Sequence, residues 1–283
     1  MSSLDLFATR RPSFGFSKLG KISFTLVLAW AIILIAVAFA VAPSLFTPYS
    51  GTIGIAGNQL KAPDAVHWLG TDEIGRDVLA RIIYGSINSL SGAIVAVAVG
   101  FVGGTALGLV AGAVGGRIDT VIMRLVDVLL SVPGLLLQLS IIIILGFGTV
   151  NVAIAVGTTT IAGFARLMRS EVIRVRHADY VEAAFGSGGR FAAVLWRHVL
   201  PNSLGTVIAF AALQFGSAIL AISTLGFLGY GAPPPIPEWG LLIAEGRNYI
   251  ATGWWLTTVP GLVVVAVVLS ANRISVSLAR GQR

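Results

Sequence analysis

The 283-residue chain contains no cysteine, which excludes disulfides, thiolate metal sites and a cysteine nucleophile. Charged residues are also scarce, at 11%, which is less than half of the roughly 25% found in soluble domains. So few charges could not coat a soluble fold of this size. The composition therefore excludes a soluble enzyme, a disordered chain and a nucleic-acid-binding domain, although the net charge is +7.

Long apolar runs occupy much of the chain, of which 56% is hydrophobic. A membrane helix needs about 20 apolar residues, and a Gly-Phe-Gly turn at Gly146–Gly148 divides a run that is too long for one helix. We therefore predict an all-α polytopic membrane protein, with an N-terminal segment at 1–22 and a membrane domain at 23–283. Its six predicted spans are 23–42, 90–113, 120–145, 149–168, 203–227 and 256–276.

The distribution of Lys and Arg predicts the orientation, because these residues accumulate in cytoplasmic connections. With the N-terminus inside, fifteen of the 19 Lys and Arg residues are cytoplasmic. The other four are Lys61, Arg76, Arg81 and Arg247. We expect both termini to be cytoplasmic.

The first long connection, about 43–88, is predicted to be external. Thr71 followed by Asp72 and Glu73 is typical of a helix start, and Ile74 and Val78 begin a helical repeat. This pattern predicts a short amphipathic helix before the second span. The helix either lies on the membrane surface, which the periodicity favours, or forms a docking surface for an external partner.

The second long connection, about 166–201, is predicted to be cytoplasmic. Asp179 and Glu182 have capping-box spacing, and glycines from Gly186 end the helix that follows. Tyr180, Ala184 and Phe185 can share an apolar face, so this short helix is suited to a groove on a partner. A second amphipathic helix, from Phe191 to Val199, is expected at the membrane interface before Pro201 starts the fifth span.

The third long connection, about 229–255, is predicted to be external. Pro233–Pro237 is expected to be stiff and extended. Trp254 and Trp255 stand where an aromatic belt is expected.

Few polar residues occur within the spans. Asp127 either belongs to a pathway, as an acid within a span suggests, or pairs with Arg124 three positions earlier, and the second interpretation is favoured. Gln138, Asn151 and Gln214 either line a pathway or form hydrogen bonds between helices, and the second interpretation is favoured. The glycines at 104, 108 and 112 indicate close helix packing. The three histidines lack metal-ligand spacing, so no metal site is expected.

Several motifs together resemble one family. Tyr180-Val-Glu-Ala-Ala184, Gly188 and His198-Val-Leu-Pro201 resemble the cytoplasmic "EAA" loop of ABC-importer permeases. The stretch His67–Tyr84 is similar to the C-type permease subunit of dipeptide and oligopeptide importers. Further resemblance lies in Met123–Asp127 with Pro133, Leu225–Gly229, Trp239-Gly240 and Pro260-Gly261.

The resemblance implies a type I ABC-importer permease that works with four kinds of partner: a second, homologous permease subunit, two ATPases, an extracytoplasmic binding protein and a peptide substrate. ATP and Mg²⁺ would be bound by the ATPases, and no cofactor by this chain. The implied coupling positions are Asp179, Tyr180, Glu182, Ala183, Ala184, Phe185 and Gly188. A surface for docking the binding protein, or the outer mouth, would include Leu69, Gly70, Thr71, Asp72, Gly75, Arg76 and Asp77.

Three departures from the family pattern bear on the substrate. Ala221–Thr224 lacks the Glu that many relatives carry there, Asn272–Ser277 lacks their Gly-Asp, and Ile87–Leu90 stands where relatives often have Arg-Ile/Val-Ser-Leu. Nickel or another non-peptide solute, carried by the same family, is an alternative substrate. A self-sufficient secondary transporter is an alternative from another class, but the spans show neither a clear repeat nor mid-membrane charges. An integral-membrane enzyme would need clustered acids or histidines, and no P-loop is present for ATP hydrolysis.

Overall fold

The computed structural model describes residues 24–281, with side chains to residue 277. The predicted N-terminal segment 1–22 lies outside the described residues. Within them the chain is helical without a β-strand, apart from one isolated bridge between Thr71 and Asp77. This confirms the predicted all-α class. The ten helices are α1 Phe24–Val41, α2 Val78–Val114, α3 Gly116–Ser131, α4 Gly134–Leu145, α5 Thr149–Arg176, α6 Asp179–Gly186, α7 Phe191–Val194, α8 Leu200–Phe227, α9 Trp239–Gly246 and α10 Trp255–Gly281.

Five described helices are long and apolar enough to cross a membrane, with α7 and α8 counted as one. A sixth span results if α3 and α4 together form one crossing. The prediction of a single helix over 120–145 is wrong, because α3 and α4 are bent by 95°. Val132 is extended, with φ −88° and ψ 131°. The ring of Pro133 disfavours helical geometry in the residue before it, which explains the break.

The centre of the bundle is the contact between α2 and α5. A Cβ atom at Gly108 would lie 2.7 Å from Cβ of Met168, and one at Gly112 would lie 2.8 Å from Cβ of Val172. Only glycine permits this approach, as in other closely packed membrane helices. Many large apolar side chains on the outer helix faces are exposed, including Leu34 on α1 and Ile144 on α4, as expected of surfaces that face lipid or partner subunits.

The buried apolar residues of the described chain form three clusters. The first runs from within the spans to Leu225, Trp239 and Trp255 beside α9. The second includes Met168 and Val181 beside α6. A small third cluster joins Val126 of α3 to α5. The α9 side of the first cluster and the α6 side of the second lie at opposite ends of the bundle. We call these regions the α9 end and the α6 end.

The α7–α8 junction differs from the sequence prediction. The predicted interfacial helix Phe191–Val199 does not stop before Pro201, because α7 continues through a π-helical turn, Leu195–Val199, directly into α8. Proline has no N–H, and its ring would clash with the carbonyl four residues earlier, at Arg197. A wider π turn at this point allows the helix to continue.

Candidate functional site

The short helix α6 at the α6 end is mostly exposed: six of its eight residues are exposed. Its N-cap is Ala178, with extended backbone at φ −80° and ψ 140°. The predicted cap at Asp179 is therefore wrong, since Asp179 is the first helical residue and Glu182 lies one position beyond the capping-box site. Both acids still lie in the first turn, where the helix dipole favours negative charge.

One residue anchors α6 to the rest of the protein. Val181 is completely buried, whereas Tyr180 is 48% and Phe185 is 37% exposed. Val181 lies at the centre of the apolar face predicted for Tyr180, Ala184 and Phe185, so that face points partly inward. Sequence analysis missed this anchor, although the helical spacing placed Val181 between its two aromatic neighbours. Glu182 and Ala183 are exposed and accessible to a partner.

A Schellman motif ends α6. The N–H of Gly188 donates to the carbonyl of Phe185 (2.9 Å), and the N–H of Gly189 donates to that of Ala184 (3.0 Å). Gly188 has φ +88°, a left-handed conformation in which glycine avoids the Cβ penalty. The chain therefore reverses at Gly188, as its place after the short helix suggested.

Two contacts connect α6 to the membrane helices. Val181 belongs to a buried cluster with Val175 of α5 and Val194 of α7. Just before α6, the Arg176 guanidinium donates to the carbonyl of Ala113 (2.8 Å) at the end of α2, where a cation complements the helix dipole. Through these contacts, a displacement of α6 would also displace α2, α5 and the α7–α8 helix.

At the α9 end, residues 69–77 do not form the predicted helix. Carboxylate Oδ1 of Asp72 accepts the backbone N–H groups of Ile74 (3.1 Å) and Arg76 (2.9 Å), and Gly75 has φ +84°. This is a turn closed by a side chain. The helix begins only at Val78, where Asp77 is the N-cap and accepts the N–H of Ala80 (2.7 Å).

The seven residues predicted as a docking surface build the interior of this loop. Leu69 is half-buried, and the other six are buried: Gly70, Thr71, Asp72, Gly75, Arg76 and Asp77. Their side chains therefore cannot offer a surface to a partner in this conformation. The exposed apolar side chains of the loop are neighbours that sequence analysis did not select, including Trp68 at 72% and Ile74 at 50% exposure.

Five charged side chains at the α9 end form what we call the buried charge cluster: Asp72, Glu73, Arg76, Arg81 and Glu245. Asp72 Oδ2 lies 2.5 Å from Nε of Arg76 and 3.0 Å from Nη1 of Arg81. Glu245 Oε2 lies 2.6 Å from the same Nη1 atom. The cluster joins the loop before α2, the first turn of α2 and the end of α9.

A second buried acid lies at the start of α9. Glu238 is fully buried, and its Oε2 accepts the N–H of Ala232 (3.0 Å). Burial raises the pKa of this carboxyl, and the Ala232 hydrogen bond only partly opposes the effect. Next to it, Nε1 of Trp239 donates to the carbonyl of Ile82 (3.1 Å). Sequence analysis noted Trp239 only as part of a family motif.

His67 also has a structural place in the same loop. Its Nδ1 lies 2.9 Å from Asp77 Oδ2, and its Nε2 lies 3.1 Å from Nδ2 of Asn58. Among the described residues, no group of three or more acids, histidines or cysteines could hold a metal.

The four polar residues predicted in the spans have different surroundings. Asp127 pairs with Arg166 of α5 (2.6 Å) rather than with Arg124, so that pairing was predicted wrongly. Gln138 of α4 donates to Oγ1 of Thr159 on α5 (3.1 Å), a hydrogen bond between helices. Asn151, in the first turn of α5, donates to the carbonyls of Leu145 (3.0 Å) and Gly146 (3.1 Å) where α4 ends. Gln214 is half-buried on α8, and the structure does not bring all four together.

Comparison with known proteins identifies relatives along most of the chain. The dipeptide transport system permease protein DppC of Alkalihalophilus pseudofirmus is 42% identical over 217 residues, which cover 77% of this chain and 71% of the relative. The probable D,D-dipeptide transport system permease protein DdpC of Escherichia coli is 38% identical over 88% of this chain and 83% of its own length. The glutathione transport system permease protein GsiD of Pectobacterium atrosepticum is 36% identical, with 87% and 82% covered.

Among solved structures, a chain of the MetNI methionine ABC transporter in an inward-facing conformation has the same fold. The TM-score is 0.58 at 16% identity, and the match covers 70% of this chain and 96% of that one. The family described as "binding-protein-dependent transport system inner membrane component" matches residues 104–283, a region that includes α6 and its anchor. The chain therefore belongs to this family of inner-membrane transport components.

Proposed function

We propose that the protein is the permease subunit of an ATP-driven importer that carries dipeptides or similar short peptides. The observation that carries this proposal is α6: a mostly exposed helix, closed by a Schellman motif, that one buried valine connects to α5 and α7. The names of the relatives, which include dipeptide, D,D-dipeptide and glutathione transport systems, support a peptide-like substrate. None of these names supports nickel.

In this proposal α6 is the coupling helix and sits in a cleft of a separate ATPase. Glu182 and Ala183 lie on the exposed side that would meet the cleft, and the small Ala183 side chain permits close approach. Closure of the ATPase pair would push α6, and Val181 would transmit the push to Val175 and Val194. This packed contact can transmit strain because close-packed interiors have low compressibility.

The proposed orientation places the α6 end in the cytoplasm and the α9 end outside, with both chain termini cytoplasmic. Its basis is the Lys and Arg asymmetry of the sequence. A second permease subunit would complete the pathway, and a binding protein would deliver substrate at the α9 end. ATP and Mg²⁺ would be bound by the two ATPase chains, and this chain would supply movement rather than catalysis.

A charge reversal on α6 tests the coupling role. We expect Glu182→Lys to abolish the ATP hydrolysis that substrate-loaded binding protein stimulates, while the permease still inserts and assembles. A matched control is Arg117→Glu, a reversal at an exposed position of α3, which should keep this stimulation. Normal stimulation in Glu182→Lys would contradict the coupling role.

The lack of cysteine offers a second test. Ala183→Cys introduces a single thiol, which should crosslink to a cysteine placed in the cleft of the ATPase. The same thiol at Ile53, an exposed residue of the loop at the α9 end, should give no such product. Crosslinking from Ile53 but not from Ala183 would contradict both the coupling role and the orientation.

A further inference from the structure

The buried charge cluster contains hydrogen-bonding groups that the protein itself does not satisfy. Nε and Nη2 of Arg81 and Oε2 of Glu73 are buried, and none has a hydrogen-bond partner among the described residues. The Arg81 side chain is only 1% exposed. Leaving buried groups of this kind unpaired is unfavourable, more so when they are charged. A further hydrogen-bonding group, outside the ion pairs, must therefore satisfy these three atoms.

The residues that carry these atoms line a small cavity. Its volume is about 10 Å³, and Asp72, Glu73, Arg81 and Glu245 line its polar side. Leu242, Leu256 and Pro260 line its apolar side. A cavity of roughly 10–15 Å³ with two to four polar partners is what one buried water molecule requires.

The charges of the residues that line the cavity favour water over an ion as its occupant. The two unpaired Arg81 N–H groups are donors of a cationic side chain and would repel a cation, whereas Asp72, Glu73 and Glu245 would repel an anion. A water molecule can accept from Arg81 and donate to Glu73 at the same time. Burial also raises the pKa of the Glu73 carboxyl, and a hydrogen bond from water would offset part of that desolvation.

We propose that one water molecule binds between Arg81 and Glu73 and completes the buried charge cluster. It joins the loop before α2 to the first turn of α2. Glu245 extends the same connection to α9 through its 2.6 Å contact with Arg81. The loop, the start of α2 and α9 then form one unit that opens and closes together, rather than three elements that fluctuate separately.

The first experiment is direct. The whole transporter, reconstituted in lipid nanodiscs, is imaged by cryo-electron microscopy at a resolution that shows ordered water. Density within hydrogen-bond distance of both Nη2 of Arg81 and Oε2 of Glu73 is the expected result. Well-resolved side chains with no density between them would overturn the proposal.

The second experiment measures amide hydrogen exchange of α9 in the same assembly. Glu73→Leu removes Oε2, which meets the water, together with Oε1, which accepts from Arg76 (3.2 Å), so the α9 amides should exchange roughly tenfold faster, or more, as expected for lost buried hydrogen bonds. Glu73→Gln keeps an acceptor and should exchange like the native protein. Glu171→Leu on α5, at the other end of the bundle, should leave α9 unchanged.

Equal exchange in Glu73→Leu and Glu73→Gln would overturn the proposal, because the acceptor would then not matter. If Glu73→Leu raises exchange in the preceding loop but not in α9, the single opening unit is disproved. Neither experiment measures transport or ATP hydrolysis. Their failure would therefore leave the proposed function standing, and failure of the coupling tests would leave the water site standing.

Discussion

The two ends of the bundle are built by opposite means. At the α9 end, charged residues are buried: Asp72, Arg76 and Arg81 are each at most 2% exposed. At the α6 end, the arginines of the ion pairs are more exposed: the side chains of Arg166, Arg169 and Arg174 are 55%, 34% and 65% exposed. One end therefore uses charge to fix its own structure. The other leaves its charged and small side chains available to a partner.

This difference predicts where substitutions affect folding and where they affect function alone. Buried ions cost much free energy when a partner is removed, because the remaining charge stays desolvated. Exposed side chains contribute little to stability and can change with little effect on folding. The α9 end should therefore be sensitive in stability assays, and the α6 end should be sensitive in coupling assays.

The largest expected effect is at Arg81. Arg81→Ala removes one of the two guanidinium groups that Asp72 and Glu245 share, the other being that of Arg76, and we expect a loss of about 3–5 kcal/mol in the free energy of unfolding. The matched variant Arg174→Ala breaks an exposed pair and should cost at most about 1 kcal/mol. Chemical unfolding in detergent measures both. Similar losses in the two variants would remove the contrast between the ends.

Glu238 should give the next largest effect, and one that depends on pH. Glu238→Ala loses the acceptor of the Ala232 N–H and should cost about 1–3 kcal/mol, whereas Glu238→Gln should be at least as stable as the native protein at neutral pH. Because burial raises the folded-state pKa, the folded protein binds this proton more tightly than the unfolded chain.

The sign of the pH dependence follows from that difference in proton affinity. Stability from Glu238 is full below the unfolded pKa and falls as the pH rises through the raised folded pKa. Thermal unfolding between about pH 4 and pH 8 should therefore show a decline in native Tm that is weaker in Glu238→Gln. Parallel curves for the two proteins would show that Glu238 does not titrate in this way.

A smaller effect is expected at the anchor of α6. Val181→Ala removes two buried carbon atoms' worth of side chain and should cost about 1–2 kcal/mol. Hydrogen exchange should localise the loss to α6 and its junction with α5. Val128→Ala, at a position that is 62% exposed on α3, is the control and should leave exchange in α6 unchanged. A loss spread evenly over the bundle would contradict the role of Val181 as a local anchor.

The smallest stability change is expected at Ala183. Ala183→Leu adds volume on the exposed side of α6, so the free energy of unfolding should change by less than about 0.5 kcal/mol. Binding of the ATPase should nevertheless weaken, because the added side chain would occupy the contact. Copurification measures binding, and Thr52→Leu at the exposed surface of the α9 end is the control. Undiminished binding would exclude Ala183 from the interface.

The membrane helices were predictable because apolar runs of sufficient length have few other stable structures. Hydropathy does not report direction, however, so the 95° bend between α3 and α4 was missed although Pro133 was visible. The partner of Asp127 was also predicted wrongly, because a sequence does not show which helices lie side by side. Sequence proximity favoured Arg124 as the partner of Asp127, whereas the structure brings Arg166 from another helix.

The sequence predicted α6 well and the loop before α2 poorly. The existence, length and glycine end of α6 followed from local sequence, since Gly188 adopts the conformation that glycine favours. The loop before α2 was misread because Thr71-Asp72-Glu73 is also compatible with a turn in which the Asp72 carboxylate binds backbone N–H groups. Burial of Arg81 depends on a contact with Glu245, 164 residues away, which local patterns cannot report.

Helix α2 extends from one end of the bundle to the other and connects the two ends mechanically. Its 37 residues form a rod of about 55 Å, against a hydrocarbon layer of about 30 Å. Arg81 sits near one tip, and the carbonyl of Ala113 at the other tip accepts from Arg176. If α2 rotated by about 5° about its midpoint, its two tips would move by roughly 2 Å in opposite directions. A movement at the α6 end would then produce an opposite movement at the α9 end.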